Sequence, residues 1–233
     1  MSLDPIPLDA LTSSRSTIAE SIHEELRRAI LELRLQPGTK ISEAEIARRL
    51  GVSRQPVREA FARLGRSGYL RIQPQRATEV VRISTREVMN AHFIREALEV
   101  ATARRAALES PPGMAERLGA CLARQEAAQE ADDRTSFQRE DDAFHFAIAK
   151  EAGCGFAWRL IDEQKAQMDR VRFLSLAFGQ PAALSDHRAI VAALRTGDPD
   201  AAEAAMRGHL ARIVGVVERL RQDFAHYFQD SDA

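Results

Sequence analysis

The order of helix starts and stops between residues 42 and 67 constrains the fold of this chain most strongly. Ser42 and Glu45 have the S-x-x-E spacing of a capping box, which predicts a short helix, and Gly51 ends it. Ser53 can cap the helix that follows, which runs to residue 67. Two short helices joined by a tight glycine turn predict a helix-turn-helix.

The segments on either side extend this prediction to a winged helix-turn-helix. Residues 16–34 place isoleucine and leucine at helical spacing, which indicates one amphipathic helix before the pair. Two extended runs, 69–73 and 78–82, follow the pair and flank the turn sequence PQRA, which predicts a β-hairpin. Three helices and a hairpin wing are the elements of a winged helix.

From residue 84 onward the pattern is helical throughout, which predicts a six-helix bundle and a mainly α protein. The first of these helices has apolar residues near helical spacing, among them Val88, Phe93 and Leu108. Gly179-Gln180-Pro181 is expected to separate the fourth helix from the fifth. The predicted helices span about 87–109, 112–131, 135–152, 156–178, 182–195 and 199–226.

The predicted domain organisation places two folded domains between short flexible ends. The winged helix-turn-helix spans 15–83, and the helical domain spans 84–228. An arm of residues 1–14 and a tail of residues 229–233 are expected to be flexible.

The distribution of charge separates the two domains. The 233-residue chain has a formal net charge of −1, yet residues 15–86 hold 15 basic and 8 acidic side chains, and the remainder is acidic. A basic first third indicates a polyanion-binding module joined to a second function. No membrane span, signal-peptide pattern or cysteine framework is evident, so we expect a cytoplasmic protein.

The helix after Gly51 contains the residues best suited to read DNA. Arg54 and Arg58 are four residues apart and share one helix face, where arginine can bind guanine edges or phosphate. Gln55 could contact adenine, and the helix start at Ser53 directs backbone N–H groups toward a phosphate. A solvated arginine-rich face is the alternative. Further basic residues expected to hold the DNA backbone are Arg48 and Arg63, and the wing-tip Arg76 could enter the minor groove or hold phosphate.

The segment PGTKISEAEIARRLGVSRQPVREAFARLGRSGYL, followed by PQRATEV, resembles the DNA-binding domain of the GntR family of bacterial transcription regulators. The resemblance covers about residues 20–82 and implies binding to double-stranded operator DNA. The sequence departs from the family at Ala77, where a wing-tip glycine is usual.

Four residues of the helical domain have the chemistry of a metal site. Asp141 and His145 are four apart on one predicted helix, so their side chains project the same way. His187 and His209 lie on two further helices. One carboxylate and three imidazoles suit a divalent first-row metal such as Zn²⁺, Ni²⁺ or Mn²⁺. Spacing alone leaves open the alternative that each is an ordinary core or surface histidine.

The motifs D-x-x-x-H, H-R-A-I-x-x-A-L-x-x-G-D-P and M-x-x-H-L resemble the helical effector domain, of the FCD type, in the FadR subgroup of this family. The resemblance implies that Asp141, His145, His187 and His209 bind one metal, whose coordination a small carboxylate completes. It also implies an effector contact for Arg95. Arg170 and Arg172 are further candidates for holding the acid, unless they are solvated surface residues.

The departure Cys154-Gly155 stands where the family usually has Asn-Pro, which removes an amide from that corner of the effector domain. Cys154 could add a soft donor, but an inert buried thiol is the simpler interpretation.

Three functions account for such a chain. The favoured one is a homodimeric, ligand-responsive transcription regulator that binds a palindromic operator. A small organic acid is expected to control it, and such regulators are most often repressors. The second is a metal-dependent enzyme with a DNA-localising domain, although no general base is evident. The third is a non-specific architectural DNA binder.

Overall fold

The computed structural model describes residues 17–73 and 77–229, and its residues form two compact units. The first unit consists of two segments, the chain up to Ser84 and the chain from Phe224 onward, and the second unit spans Thr85–Asp223. The helical domain expected over 84–228 therefore ends earlier, because the last described residues belong with the first unit. The predicted flexible arm, the wing-tip Arg76 and all of the predicted tail except Gln229 lie outside the described residues.

Local capping signals define the helices of the first unit. Ser42 accepts a hydrogen bond at 3.1 Å from the backbone N–H of Glu45, as the capping box predicts. Gly51 ends the same helix with a left-handed backbone (φ 65°), a conformation that glycine adopts without strain. Ser53 is the N-cap residue of the next helix, but its hydroxyl makes no capping hydrogen bond. The helices are α1 (Ile18–Leu31), α2 (Glu43–Leu50) and α3 (Arg54–Arg66).

The wing is part of a three-stranded antiparallel sheet with the order β1-β3-β2. The predicted hairpin corresponds to β2 (Leu70–Arg71) and β3 (Thr78–Val80), with Leu70 opposite Val80. The sequence did not reveal β1 (Lys40–Ile41), because two residues are too few to establish an alternating pattern.

The core of the first unit lies between α1 and α3, whose apolar faces meet. Of the stripe predicted on the first helix, Ile22, Leu26 and Ile30 are buried, whereas Ile18 is 49 % exposed and Leu33 lies beyond the helix and is half-buried. The inward positions of α3 are buried. Fully buried members are Ile22, Ile30, Val57, Ala60, Phe61 and Leu64.

The end of the chain pairs with the segment that follows the wing. Ile83 and Phe228 form a parallel bridge, and Phe228 is only 3 % exposed. A 3₁₀ turn (Ala225–Tyr227) precedes the bridge. Residues 224–229 thus complete the first unit.

The second unit consists of six helices over the described residues 85–223, and the mainly α prediction with a small wing is confirmed. The break predicted at Gly179-Gln180-Pro181 is wrong: Pro181 lies inside one helix of 31 residues, and the chain breaks instead at Lys165. The helices are α4 (Thr85–Glu109), α5 (Met114–Glu130), α6 (Arg134–Glu151), α7 (Gly155–Gln164), α8 (Ala166–Thr196) and α9 (Pro199–Asp223).

The core of the second unit joins α4, α5, α6, α8 and α9. Phe144, Ile190 and Met206 are fully or almost fully buried in it. The periodicity of α4 identified the helix but not its buried face. Val88 is buried, whereas Phe93 and Leu108 are 74 % and 66 % exposed.

No helix within residues 17–73 and 77–229 is both long enough and apolar enough to span a lipid bilayer.

Candidate functional site

Three histidines from three helices meet inside the second unit. His145 of α6, His187 of α8 and His209 of α9 each offer a ring nitrogen, and these atoms lie within 4.8 Å of one another. The Nε2 atoms of His187 and His209 are 3.4 Å apart. The sequence proposed these three residues, and the fold brings them together.

A glutamine of α5 fixes the orientation of the His187 ring. The Nδ1 atom of His187 lies 2.6 Å from the Oε1 atom of Gln125. The amide nitrogen of Gln125 donates to the backbone carbonyl of Glu140 at 3.2 Å, so its oxygen is the atom that faces the histidine. Since an oxygen accepts, Nδ1 of His187 has the proton and Nε2 keeps its lone pair.

Carboxylates hold the other two rings in the same way. Nδ1 of His209 lies 3.3 Å from Oδ2 of Asp186. Nδ1 of His145 lies 2.5 Å from Oε2 of Glu99 on α4, and Arg95 holds the pKa of Glu99 well below its usual range against the effect of burial. With a carboxylate oxygen beside each Nδ1, the proton of a neutral ring lies on Nδ1, and Nε2 with its lone pair faces the centre of the triad.

These lone pairs would repel each other without a positive charge between them. Burial lowers the pKa of His187, with partial opposition from Asp141, and burial also lowers the pKa of His209. Nε2 of His145 is buried without a hydrogen-bond partner among the described residues. Neutral imidazoles with outer acceptors are the usual ligands of a divalent metal, so the residues fit a metal ion.

Asp141 lies beside the triad, where the sequence placed it. Its Oδ1 is 3.5 Å from Nε2 of His187, and its Oδ2 is 3.7 Å from Nε2 of His145. Oδ2 also receives a hydrogen bond from Arg172. Although burial favours the neutral acid, the guanidinium of Arg172 holds the pKa of Asp141 well below its usual range, so the side chain is a carboxylate.

A cavity of about 420 Å³ opens beside Asp141 and His209. Arg95 and Arg172, two of the three predicted effector residues, are among its lining side chains, whereas Arg170 is not. Arg170 and Arg172 are both largely enclosed, so the alternative that they are solvated surface residues is wrong.

Arg172 belongs to a buried ionic network that extends away from the triad. It donates to Asp142 and Asp169, each at 2.8 Å, and Lys165 donates to the same two carboxylates. Asp142 anchors this network through its contacts to Lys165 and Arg172.

Cys154 lies at the N-cap position of α7, half-buried, with Sγ 3.6 Å from Nη1 of Arg105. It is not among the described residues that could share a metal with the three histidines.

The predicted DNA-reading residues lie on the outer surface of the first unit. Arg54, Gln55 and Arg58 are exposed at the start of α3, and Ser53 and Arg48 are exposed beside them. Within this surface Gln55 donates to Glu59 at 2.9 Å, and Arg58 lies 3.3 Å from Glu43. Arg63 instead faces α1, 3.9 Å from Glu20.

Sequence reasoning missed Glu99, Gln125 and Asp186, the residues that orient the three rings. Glutamate, glutamine and aspartate are common residue types, and these three lie on separate helices outside the histidine-containing motifs. Asp186 directly precedes His187, so the dipeptide was a local signal, but only packing makes this carboxylate a partner of His209.

Two protein-family models match the two parts of the chain. The model of the bacterial regulatory proteins of the gntR family matches residues 18–80, and the FCD domain model matches residues 90–212. The chain belongs to the GntR family. It is a transcriptional regulator with an FCD effector domain, and its relatives are regulators, not enzymes.

This GntR regulator has relatives over nearly its whole length. It is 40 % identical over 215 residues to the HTH-type transcriptional repressor RspR of Escherichia coli strain K12, covering 91 % of this chain and 94 % of that protein. It is 34 % identical to an HTH-type transcriptional regulator of Streptomyces ambofaciens, covering 91 % and 89 %. The structure of E. coli McbR/YncC is similar with a TM-score of 0.72 at 20 % identity, covering 88 % and 99 %, which shows a shared fold.

Proposed function

We propose that this GntR regulator is a homodimer that binds a palindromic operator. An organic acid bound at a metal site would raise or lower its affinity for that operator. The regulator would act in the bacterial cytoplasm, where its operator DNA lies. The observation that supports the metal is the meeting of unprotonated Nε2 atoms from His145, His187 and His209, each ring fixed by an acceptor at Nδ1.

The metal would be held by the three histidines together with Asp141, whose ionised carboxylate lies next to two of them. When bound, a divalent ion such as Zn²⁺, Ni²⁺ or Mn²⁺ supplies positive charge that attracts an acid. Arg95 and Arg172 border the same cavity and help to orient the acid.

The DNA-binding role rests on the exposed start of α3. Arg54 and Arg58 offer planar donors for guanine edges, and Gln55 offers an amide for adenine. Ser53 leaves the first turn of the helix without a side-chain cap, so its N–H groups are suited to contact a phosphate. Arg48, Arg63 and the wing residue Arg76 would hold the backbone.

A dimer is supported by the outer face of α4. Phe93 and Leu108 are largely exposed in the single chain, and Ala97 and Ala101 lie between them on the same face. Exposed apolar stripes of this kind mark protein interfaces. Two chains would present two α3 helices to the two halves of a symmetric operator.

Control by the acid follows from linkage. If the acid binds one arrangement of the two DNA-reading heads more tightly, it shifts the population toward that arrangement and changes operator affinity. A repressor results when the acid favours the arrangement that fits DNA less well.

Selection from a random DNA library with the metal-loaded protein tests the proposal. We expect an inverted repeat and a 2:1 complex of chain to duplex by sedimentation. Arg54→Ala or Arg58→Ala should lower discrimination against single-base changes by at least about tenfold. Arg28→Ala, which removes a surface arginine of α1 paired with Glu25, should preserve it. A selected pool without any repeat would contradict the proposal.

A further inference from the structure

The cavity beside the histidine triad is polar at one end and apolar at the other. Asp141, His209 and Arg95 form the inner end. Between α8 and α9 the walls become apolar, and none of the described residues that line this part is acidic. The apolar walls are formed by Leu176, Phe178, Ala182, Ala183, Ile213 and Val216.

The size of the cavity exceeds what a two- or three-carbon acid needs. An apolar cavity of about 150 Å³ accommodates one benzene ring, so about 420 Å³ offers room for roughly fifteen non-hydrogen atoms. A small acid held at the triad would leave the apolar walls facing water. A ligand that fills the space removes that apolar surface from solvent, which is favourable in proportion to its area.

The arginines that line the cavity already have carboxylate partners. Arg95 pairs with Glu99, and Arg172 pairs with aspartates. Arg212 contacts Asp186, the carboxylate that also lies beside Nδ1 of His209. Each of these guanidinium groups is already compensated, so the candidate metal site is where added positive charge would attract an acid.

The mouth of the cavity is closed in part by an aromatic ring. Phe178 is 39 % exposed, and the guanidinium of Arg219 lies over its ring at 4.0 Å from the centroid. Arg219 also lies 3.6 Å from Asp223, one turn further along α9. The cation–π contact holds the ring as an apolar wall at the outer end, not as a binding site for an anion.

We infer that the effector is a monocarboxylic acid with an apolar body of roughly six to twelve carbons, held with its carboxylate at the triad and its body between α8 and α9. This inference rests on the proposed function, because it requires the metal-bound acid, and it adds the chemical class of that acid. Phe178, Ile213 and Val216 become the residues that select for the body of the ligand.

Calorimetric titration of the metal-loaded protein with butyrate, hexanoate and octanoate at neutral pH tests this. We expect affinity to rise about fourfold for each added methylene, with an increasingly negative heat capacity change. Octanedioate, which has a second carboxylate at the apolar end, should bind at least about tenfold more weakly than octanoate. The alcohol 1-octanol, which lacks the carboxylate, should also bind more weakly.

A matched pair of variants locates the apolar body. Val216→Thr places a hydroxyl in the cavity wall and should weaken octanoate about tenfold while leaving butyrate within twofold. Val214→Thr makes the same change two residues away, where the side chain is exposed and outside the cavity lining, and should change neither.

The titrations distinguish failure of the apolar-acid inference from failure of the proposed function. If octanoate binds no better than butyrate, or octanedioate as well as octanoate, while butyrate still requires metal and an intact His187, the apolar-acid inference is overturned and the proposed function stands. If none of these acids binds the metal-loaded protein, the acid-responsive function fails, and the inference fails with it.

Discussion

Ile83 and Phe228 tie the last described residues of the chain to the segment between the wing and α4. The N–H of Ile83 donates to the carbonyl of Tyr227, and the N–H of Gln229 donates back to the carbonyl of Ile83, both at 2.9 Å. The helix that contributes His209 therefore leads directly into a segment that completes the DNA-binding unit.

Phe228→Ala should destabilise the DNA-binding unit. The ring is 3 % exposed, and truncation of a buried phenylalanine costs about 3–5 kcal/mol. We expect that loss in the free energy of unfolding from urea titration, together with faster hydrogen exchange at Ile83. His226→Ala, at an exposed neighbour, should stay within about 0.5 kcal/mol. Equal stability of both variants would show that the terminal segment does not support the unit.

Gln125→Leu should weaken metal binding without touching a ligand. The substitution removes the oxygen that holds Nδ1 of His187, so the ring loses its fixed tautomer and orientation. Loss of such an outer partner typically lowers metal affinity by about 10- to 100-fold. Competition with a chelator measures the change.

Gln129→Leu is the matched control for this prediction. It makes the same substitution one turn further along α5, where the buried Oε1 has no hydrogen-bond partner among the described residues. Metal affinity should be unchanged. A similar loss in both variants would mean that α5 packing, not the contact to His187, controls the site.

The parts of the fold that sequence predicted are those with local causes. Ser42 and Gly51 act within one turn of their own positions, so a short window of sequence determines their roles. The histidines were found because their motifs resemble a family pattern. Glu99 and Gln125 could not be found this way, since their partners lie 46 and 62 residues away and only helix packing brings them together.

The helix break at Pro181 was predicted wrongly for a related reason. Proline lowers the intrinsic stability of a helix, but burial of an apolar face can outweigh that cost. Leu174 and Leu184 are buried on either side of Pro181, and this packing keeps α8 continuous. Phe93 is a second position where the sequence pattern was misleading. It matches the spacing of an apolar helix face, but its side chain is exposed.

Lys165→Met should destabilise the helical unit and alter its response to acid. Lys165 is 1 % exposed, and its Nζ lies 2.6 Å from Asp142 and 2.9 Å from Asp169. Removing one partner of a buried ion pair typically costs about 3–5 kcal/mol. Thermal unfolding measures the loss at neutral pH. Lys150→Met, at an exposed position of α6, is the control.

The sign of the pH effect follows from Asp142. Burial favours its neutral form, but Lys165 and Arg172 lower its pKa to about 2 from 3.8. Because the folded state holds this proton less tightly than the unfolded state, the carboxylate stabilises the wild type above pH 3.8, and that contribution disappears as pH falls toward 2. In Lys165→Met the acid-dependent loss should begin at higher pH. Parallel acid titrations of both proteins would contradict this assignment.

Pro181→Ala should stabilise the protein. Within α8 the proline lacks the N–H that would donate to the carbonyl of Ala177, and an interior proline costs a helix about 3 kcal/mol relative to alanine. Since the surrounding packing already holds the helix, we expect a gain of about 1–3 kcal/mol in the free energy of unfolding. Pro199→Ala is the matched control: this proline is the first residue of α9, where no N–H partner is lost, so stability should change little. A loss of stability in Pro181→Ala would show that the proline ring itself supports the packing beside the cavity, which Gly179 and Ala182 line on either side of it.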